Sequence, residues 1–190
     1  MKKTPAANWQ AVVAGVGGQG VLFVTRLMAS MAQDAGRPVF ISEVHGMAQR
    51  GGSVVSHLKL GEFAGPLVAL GRADLVLSLD AGEAVRNLAY LAPGAALMVN
   101  ASGPGFLSAQ AQATLAGQGV RMTAVDAAGL ARAAGWPKGA NLVLLAAAAG
   151  AGLLPFAPQN MASVVEAASP PARREANLAL WRAGLATAGA

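Results

Sequence analysis

The sequence predicts an α/β fold: a Rossmann-like open, mostly parallel sheet with helices on both faces, followed by a helical C-terminal part. Three observations predict it. Short apolar runs alternate with helical patterns through the first two thirds of the chain, the first run passes through a glycine-rich turn directly into a helix, and beyond Asp126 the pattern is helical throughout. With no internal repeat and no low-complexity linker, residues 1–190 read as a single domain, long enough to bury its own core.

Gln10 to Ala14 is a short apolar strand, Gly15-Val16-Gly17-Gly18-Gln19-Gly20 is the turn, and a helix follows from about Val21 to Ala35. Leu22, Leu27, Met28 and Met31 lie near one face of that helix, and Gly36 is placed to close it in the left-handed conformation. Arg37-Pro38 leads into the strand Val39-Phe40-Ile41, completing a unit whose parallel crossover should be right-handed. Ser53 to Leu60 alternates, with Val54, Leu58 and Leu60 on one side and His57 and Lys59 on a side expected to be wet or to face a partner. Leu75 to Leu79 and Ala95 to Val99 read as buried strands, separated by a helix that begins near Ala81 and is ended by Pro93-Gly94. Val120 to Val125 is a further strand after an Ala/Gln-rich helix. Helices are then expected at Ala127–Ala134, Ala140–Leu153, Gln159–Ala167 and Pro171–Leu185.

Composition excludes several classes. The 54% of hydrophobic residues includes 45 Ala, and the larger apolar residues come to about 30%, an ordinary globular share. The longest apolar stretch, Leu142 to Phe156, is mostly Ala and Gly and too short for a bilayer span. The start of the chain lacks a signal-peptide core, so a cytoplasmic location and no membrane partner are expected. Zero Cys rules out disulfides, thiolate metal ligands, a Cys nucleophile and any iron–sulfur cluster held by this chain alone. The net charge of +5 is spread without a Lys/Arg run longer than two and without interleaved aromatics, which speaks against nucleic acid and leaves an anionic small molecule or a protein partner. The only histidines, His45 and His57, have no metal-ligand spacing, and Ser53, Ser78 and Ser102 lack a nucleophile elbow, so neither a metal site nor a catalytic residue is assigned.

Two segments carry chemistry. Gly15, Gly17 and Gly20 satisfy the G-x-G-x-x-G spacing between a strand and a helix; with Gly18 and Gln19 they form a candidate phosphate-binding turn at a helix N-terminus. Glu43, at the end of the second strand, is the one candidate acid for ribose hydroxyls. The alternative is that this turn only packs helix against strand. The second segment, Ser42 to Ser53, gathers Glu43, His45, Gln49, Arg50, Gly51, Gly52 and Ser53 just past a strand C-terminus, where open α/β sheets place ligands. It reads as an anion clamp, with Arg50 able to fork onto carboxylate or phosphate and Gly51-Gly52 offering backbone N–H groups. The alternative is an Arg/His loop that pairs with Glu43 and fixes strand order.

Together, Val13-Ala14-Gly15-Val16-Gly17-Gly18-Gln19-Gly20 and Glu43-Val44-His45-Gly46-Met47-Ala48-Gln49-Arg50-Gly51-Gly52-Ser53-Val54 resemble the gamma-type subunit of 2-oxoacid:ferredoxin oxidoreductases, most closely the beta-subunit type of the indolepyruvate enzymes. Ala73-Asp74-Leu75, Glu83-Ala84-Val85-Arg86, Lys138-Gly139-Ala140-Asn141, Asn177 and Gly184 extend the resemblance over most of the chain; Asp80-Ala81-Gly82-Glu83 and the Ala/Gln-rich Gln110–Gly119 depart from it. The resemblance implies oxidative decarboxylation of a 2-oxoacid to an acyl-coenzyme A, with electrons passing to ferredoxin. Thiamine diphosphate and [4Fe-4S] clusters would sit in a larger alpha subunit, and this chain, inactive alone, would wall the coenzyme A side through the glycine turn and the Arg-Gly-Gly loop. Arg50 would be poorly paired until docking supplies an anionic partner. The rival reading is a free-standing Rossmann-type nucleotide-binding protein; a purely structural scaffold would keep the fold and lose the ligand.

Overall fold

The computed structural model describes residues 8–46, 51–156 and 158–187. Among these residues six strands form one sheet: β1 (Trp9–Val16), β2 (Val39–His45), β3 (Ser53–Leu60), β4 (Ala73–Ser78), β5 (Leu91–Asn100) and β6 (Arg121–Val125). Their order is β2-β3-β1-β4-β5-β6. Among the described residues seven α-helices accompany them: α1 (Val21–Asp34), α2 (Ala81–Arg86), α3 (Ala109–Gly117), α4 (Ala127–Ala133), α5 (Ala140–Gly150), α6 (Pro158–Ala168) and α7 (Arg174–Ala186).

The open α/β sheet agrees with expectation, but it is mixed. β1, β4, β5 and β6 pair parallel, whereas β3 runs antiparallel to both β1 and β2. β2 is therefore parallel to β1 without touching it: β3 has been inserted into the β1–α1–β2 crossover. Pro93-Gly94, expected to end a helix, lies inside β5. The chain leaves α2 after six residues and enters β5 at Leu91. The β4–β5 register shifts between Ala73 and Leu75, with Gly94 at φ 77 absorbing the bulge.

Two cores result. On one face α1, α5, α6 and α7 cover Ala11, Val13, Leu58, Leu75 and Leu77; on the other, α2 and α3 cover Val12, Val76, Leu97 and Val99. α5 is apolar all round, with Leu142 to Ala149 buried without interruption, as befits a helix enclosed by others. Gly184 of α7 lets the two helices approach, since a Cβ there would run into the Val143 carbonyl. α1 ends as expected, with Gly36 left-handed and Arg37 N–H bonded to the Ala32 carbonyl at 2.9 Å.

The side of β3 expected to be wet or to face a partner is covered by the chain itself. The segment between β3 and β4, residues 61–72, crosses it and drives Val68 into the second core, leaving His57 2% exposed. Val68 N–H donates to His57 Nδ1 at 3.3 Å and Tyr90 meets the ring edge-on. Periodicity could not reveal this cover, because residues 61–72 have neither strand nor helix pattern.

A ring that accepts at Nδ1 must be neutral, and burial, followed by the nearby Lys59 ammonium, holds the His57 pKa below its ordinary 6.5. The unfolded chain then binds the proton first as pH falls. The stability His57 confers is complete above about pH 6.5 and declines below it. The thermal midpoint should drop between about pH 7.5 and 5.5, and His57→Gln, whose amide oxygen can accept from Val68, should lose less over that interval. Equal losses in the two proteins would contradict this.

Candidate functional site

The carboxyl ends of β1, β4 and β5 open at the point where the chain has built to one side of β1 and then to the other, which is where open sheets place ligands. The glycine turn forms the floor. Gln19 N–H bonds to the Val16 carbonyl at 3.0 Å, and the Gln19 side chain folds inward so that Oε1 accepts from Val16 N–H at 2.8 Å. Gln19 thus braces the turn. Gly15 is required by packing, since a Cβ would lie 2.8 Å from Gln19 Oε1 and 2.9 Å from Val21 Cγ2. Gly18 and Gly20 are required by conformation, with φ of 98 and 88.

Gly17 differs from expectation. Its missing side chain faces the backbone of Gly51 and Gly52 at 3.6 Å, and its N–H donates to the Gly52 carbonyl at 2.9 Å. The backbone approaching Gly17 is the chain's own second motif. The two glycine-rich segments, separate in sequence, form one structure.

Ser53, the first residue of β3, stands opposite Val16, and its carbonyl accepts from Gly46 N–H at 2.8 Å. Glu43 and His45 are exposed on β2, opposite Ser56 and Val54, so two strand spacings, roughly 10 Å, separate them from β1. The acid that a dinucleotide fold would keep beside its glycine turn is thus one strand further out. Gln49 and Arg50 lie outside the described residues.

Beyond the turn the cleft has a volume of about 360 Å³ and is lined by Gly18, Gln19, Leu79, Asn100, Lys138 and Asn141 among others, with no acid in its wall. Asn100 fixes its back: Nδ2 donates to the Leu79 carbonyl at 3.1 Å and Oδ1 accepts from Ala128 N–H at 3.1 Å. Asn141, in the first turn of α5, donates to the Gln19 carbonyl at 3.2 Å and packs on Gly20, locking α5 to the glycine turn. α1 has no side-chain cap and no acid in its first turn, so its leading N–H groups remain to receive an anion. Lys138, exposed at the rim, adds positive charge. Asn100, Lys138 and Asn141 were not among the candidate residues read from sequence; the Lys-Gly-Ala-Asn opening of α5 was the available signal. Among the described residues no three His, Asp or Glu side chains gather to hold a metal ion, and no helix is long and apolar enough to cross a membrane.

Fold and site define a Rossmann-like α/β domain whose glycine turn is completed by a second glycine-rich motif. The chain belongs to the pyruvate ferredoxin/flavodoxin oxidoreductase family, whose model matches residues 10–187. Among relatives, it is 32% identical over 194 residues to indolepyruvate oxidoreductase subunit IorB of Thermococcus kodakarensis, covering 95% of this chain and 96% of that one. The IorB of Archaeoglobus fulgidus is 43% identical over 89 residues, 47% of this chain and 44% of that one. The fold is that of the keto/oxoacid ferredoxin oxidoreductase gamma subunit of Geobacter sulfurreducens, with TM-score 0.76 at 22% identity, covering 95% and 98% of the two chains. It also matches the 2-oxoglutarate:ferredoxin oxidoreductase of Magnetococcus marinus, solved with 2-oxoglutarate, coenzyme A and succinyl-CoA bound. That match has TM-score 0.77 at 17% identity and covers 98% of this chain but 32% of the other.

The geometry separates the glycines. Gly17→Ala places a Cβ in ordinary contact and should change stability by no more than about 0.5 kcal/mol. Gly20→Ala, forced to a left-handed φ and against the Asn141 amide, should cost about 1–3 kcal/mol. Denaturant titration of the two variants measures both, and equal costs would contradict the assignment.

Proposed function

We propose that this chain is the cluster-free small subunit of a cytoplasmic 2-oxoacid:ferredoxin oxidoreductase acting on indolepyruvate or a related aryl-pyruvate. In this reading a larger thiamine-diphosphate and iron–sulfur subunit is the partner, and the cleft beside the glycine turn receives the pyrophosphate of coenzyme A. The observation that carries the reading is the closure of Gly17 on Gly52, which unites the family's two motifs beside an acid-free cleft. Membership of the family and similarity to IorB along the whole chain support it.

The residues present suit coenzyme A on chemical grounds. Gly18 and Gln19 of the turn, the start of α5 and Lys138 line a cleft without carboxylates, next to the uncapped start of α1, so a pyrophosphate there meets positive charge with no repulsion to overcome. Asn141 keeps α5 and the turn in one arrangement before ligand arrives, so little ordering remains to be done on binding. The thiamine diphosphate and clusters of the partner supply decarboxylation and electron transfer; with no Cys, this chain can ligate no cluster through thiolates. Its own part is to bind and orient the acceptor and to complete the assembly.

Co-expression with a candidate large subunit, followed by 2-oxoacid- and coenzyme A-dependent dye reduction, tests the reading. Activity should require both chains and be greatest with indolepyruvate. Lys138→Glu should raise KM for coenzyme A at least about tenfold, equivalent to roughly 1.4 kcal/mol, and leave KM for the 2-oxoacid unchanged. Tight binding of a free nucleotide by the chain alone, with no partner-dependent activity, would overturn the proposal in favour of a free-standing nucleotide-binding protein.

A further inference from the structure

We infer that Glu83 is a positioning residue that holds the second glycine-rich motif against the first by gripping Ser53. Glu83, in the first turn of α2, is 1% exposed. Such a carboxylate is retained inside a protein only with its oxygens partnered. Both are: Oε2 accepts from Ser53 Oγ at 2.6 Å, and Oε1 is paired with Arg86 one turn on, whose side chain is 71% exposed.

The grip acts at the junction of the site. Ser53 follows Gly52, whose carbonyl receives Gly17 N–H, and the Ser53 carbonyl receives Gly46 N–H. Ser53 also stands opposite Val16, the residue that starts the glycine turn. One hydroxyl–carboxylate bond therefore anchors the place where β2 leaves, β3 begins and the turn is held. α2 is itself fixed, because Asp80 caps it by accepting from Gly82 N–H at 2.8 Å and Glu83 N–H at 3.1 Å. An acid three residues after a cap commonly reaches back to the cap's own N–H. Glu83 instead spends its carboxylate on β3.

The role toward coenzyme A rests on the reading above that the turn receives the pyrophosphate. The assembled complex carrying Ser53→Ala, Glu83→Gln or both is measured in two ways. Hydrogen–deuterium exchange at the Gly17 amide should accelerate in each variant. KM for coenzyme A should rise about tenfold in either single variant and little further in the double, while KM for the 2-oxoacid and kcat stay close to wild type; such non-additivity marks two members of one device. Ser53→Thr, which keeps the hydroxyl, should restore most of both readouts. If Glu83→Gln fails to fold, Ser53→Ala and Ser53→Thr decide the matter alone. Unchanged Gly17 exchange, or an unchanged KM for coenzyme A in an enzyme whose wild type depends on coenzyme A, overturns the inference and leaves the proposed function standing. Faster exchange in a wild-type-stable complex that never shows coenzyme A dependence overturns the role toward the ligand together with that function.

Discussion

Everything at the candidate site depends on the hydrogen bond from Gly17 to the Gly52 carbonyl, and that bond exists because β3 runs antiparallel beside β1. An antiparallel neighbour brings its N-terminal end to the carboxyl end of β1, so the segment entering β3 arrives over the glycine turn. Had β2 taken the place beside β1, as in an uninterrupted parallel crossover, its C-terminal end would lie there instead and Glu43 and His45 would border the turn. The insertion exchanges a ribose-type acid for two glycines and a serine. It also changes what Gly17 is for, from room for a ligand to room for the chain itself.

The other half of the cleft is set by helix starts. α1 and α5 begin beside each other, joined by the Asn141 amide on the Gln19 carbonyl. α5 can serve as a platform because Leu142 to Ala149 are buried on all sides and Gly184 lets α7 press against it. Cutting back Leu144 or Leu145 would remove packing worth about 2–5 kcal/mol, a large part of a domain's stability. The start of α5, Gly18 and Gln19 of the turn that leads into α1, and Lys138 then line a cleft with no carboxylate in its wall, so the local field favours an anion.

Much of this was legible in the sequence, in a recognisable way. Local signals held: the Gly15–Gly20 turn between strand and helix, the left-handed Gly36, and the helical run after Asp126 are determined by neighbours in the chain. Non-local arrangements were not legible. The alternation of Ser53 to Leu60 marks a strand but contains nothing about which strand it will pair with, so its insertion between β1 and β2 was missed. The same alternation put His57 outside, because Val68 covers it from a segment with no periodicity. Pro93-Gly94 looks like a helix stop, yet a bulge accommodates it in β5. Glu83 reads as an ordinary first-turn acid, and only Ser53, 30 residues away, gives it a reason to be buried.

Under the proposed function, the two glycine-rich motifs form one anion-binding structure for coenzyme A. A structure of the assembled complex with coenzyme A bound tests it most directly. The pyrophosphate should lie within hydrogen-bond reach of the backbone N–H groups that open α1, with Lys138 beside it and the Gly17–Gly52 bond intact. Coenzyme A held elsewhere, with a partner side chain filling the cleft between the turn and α5, would contradict it.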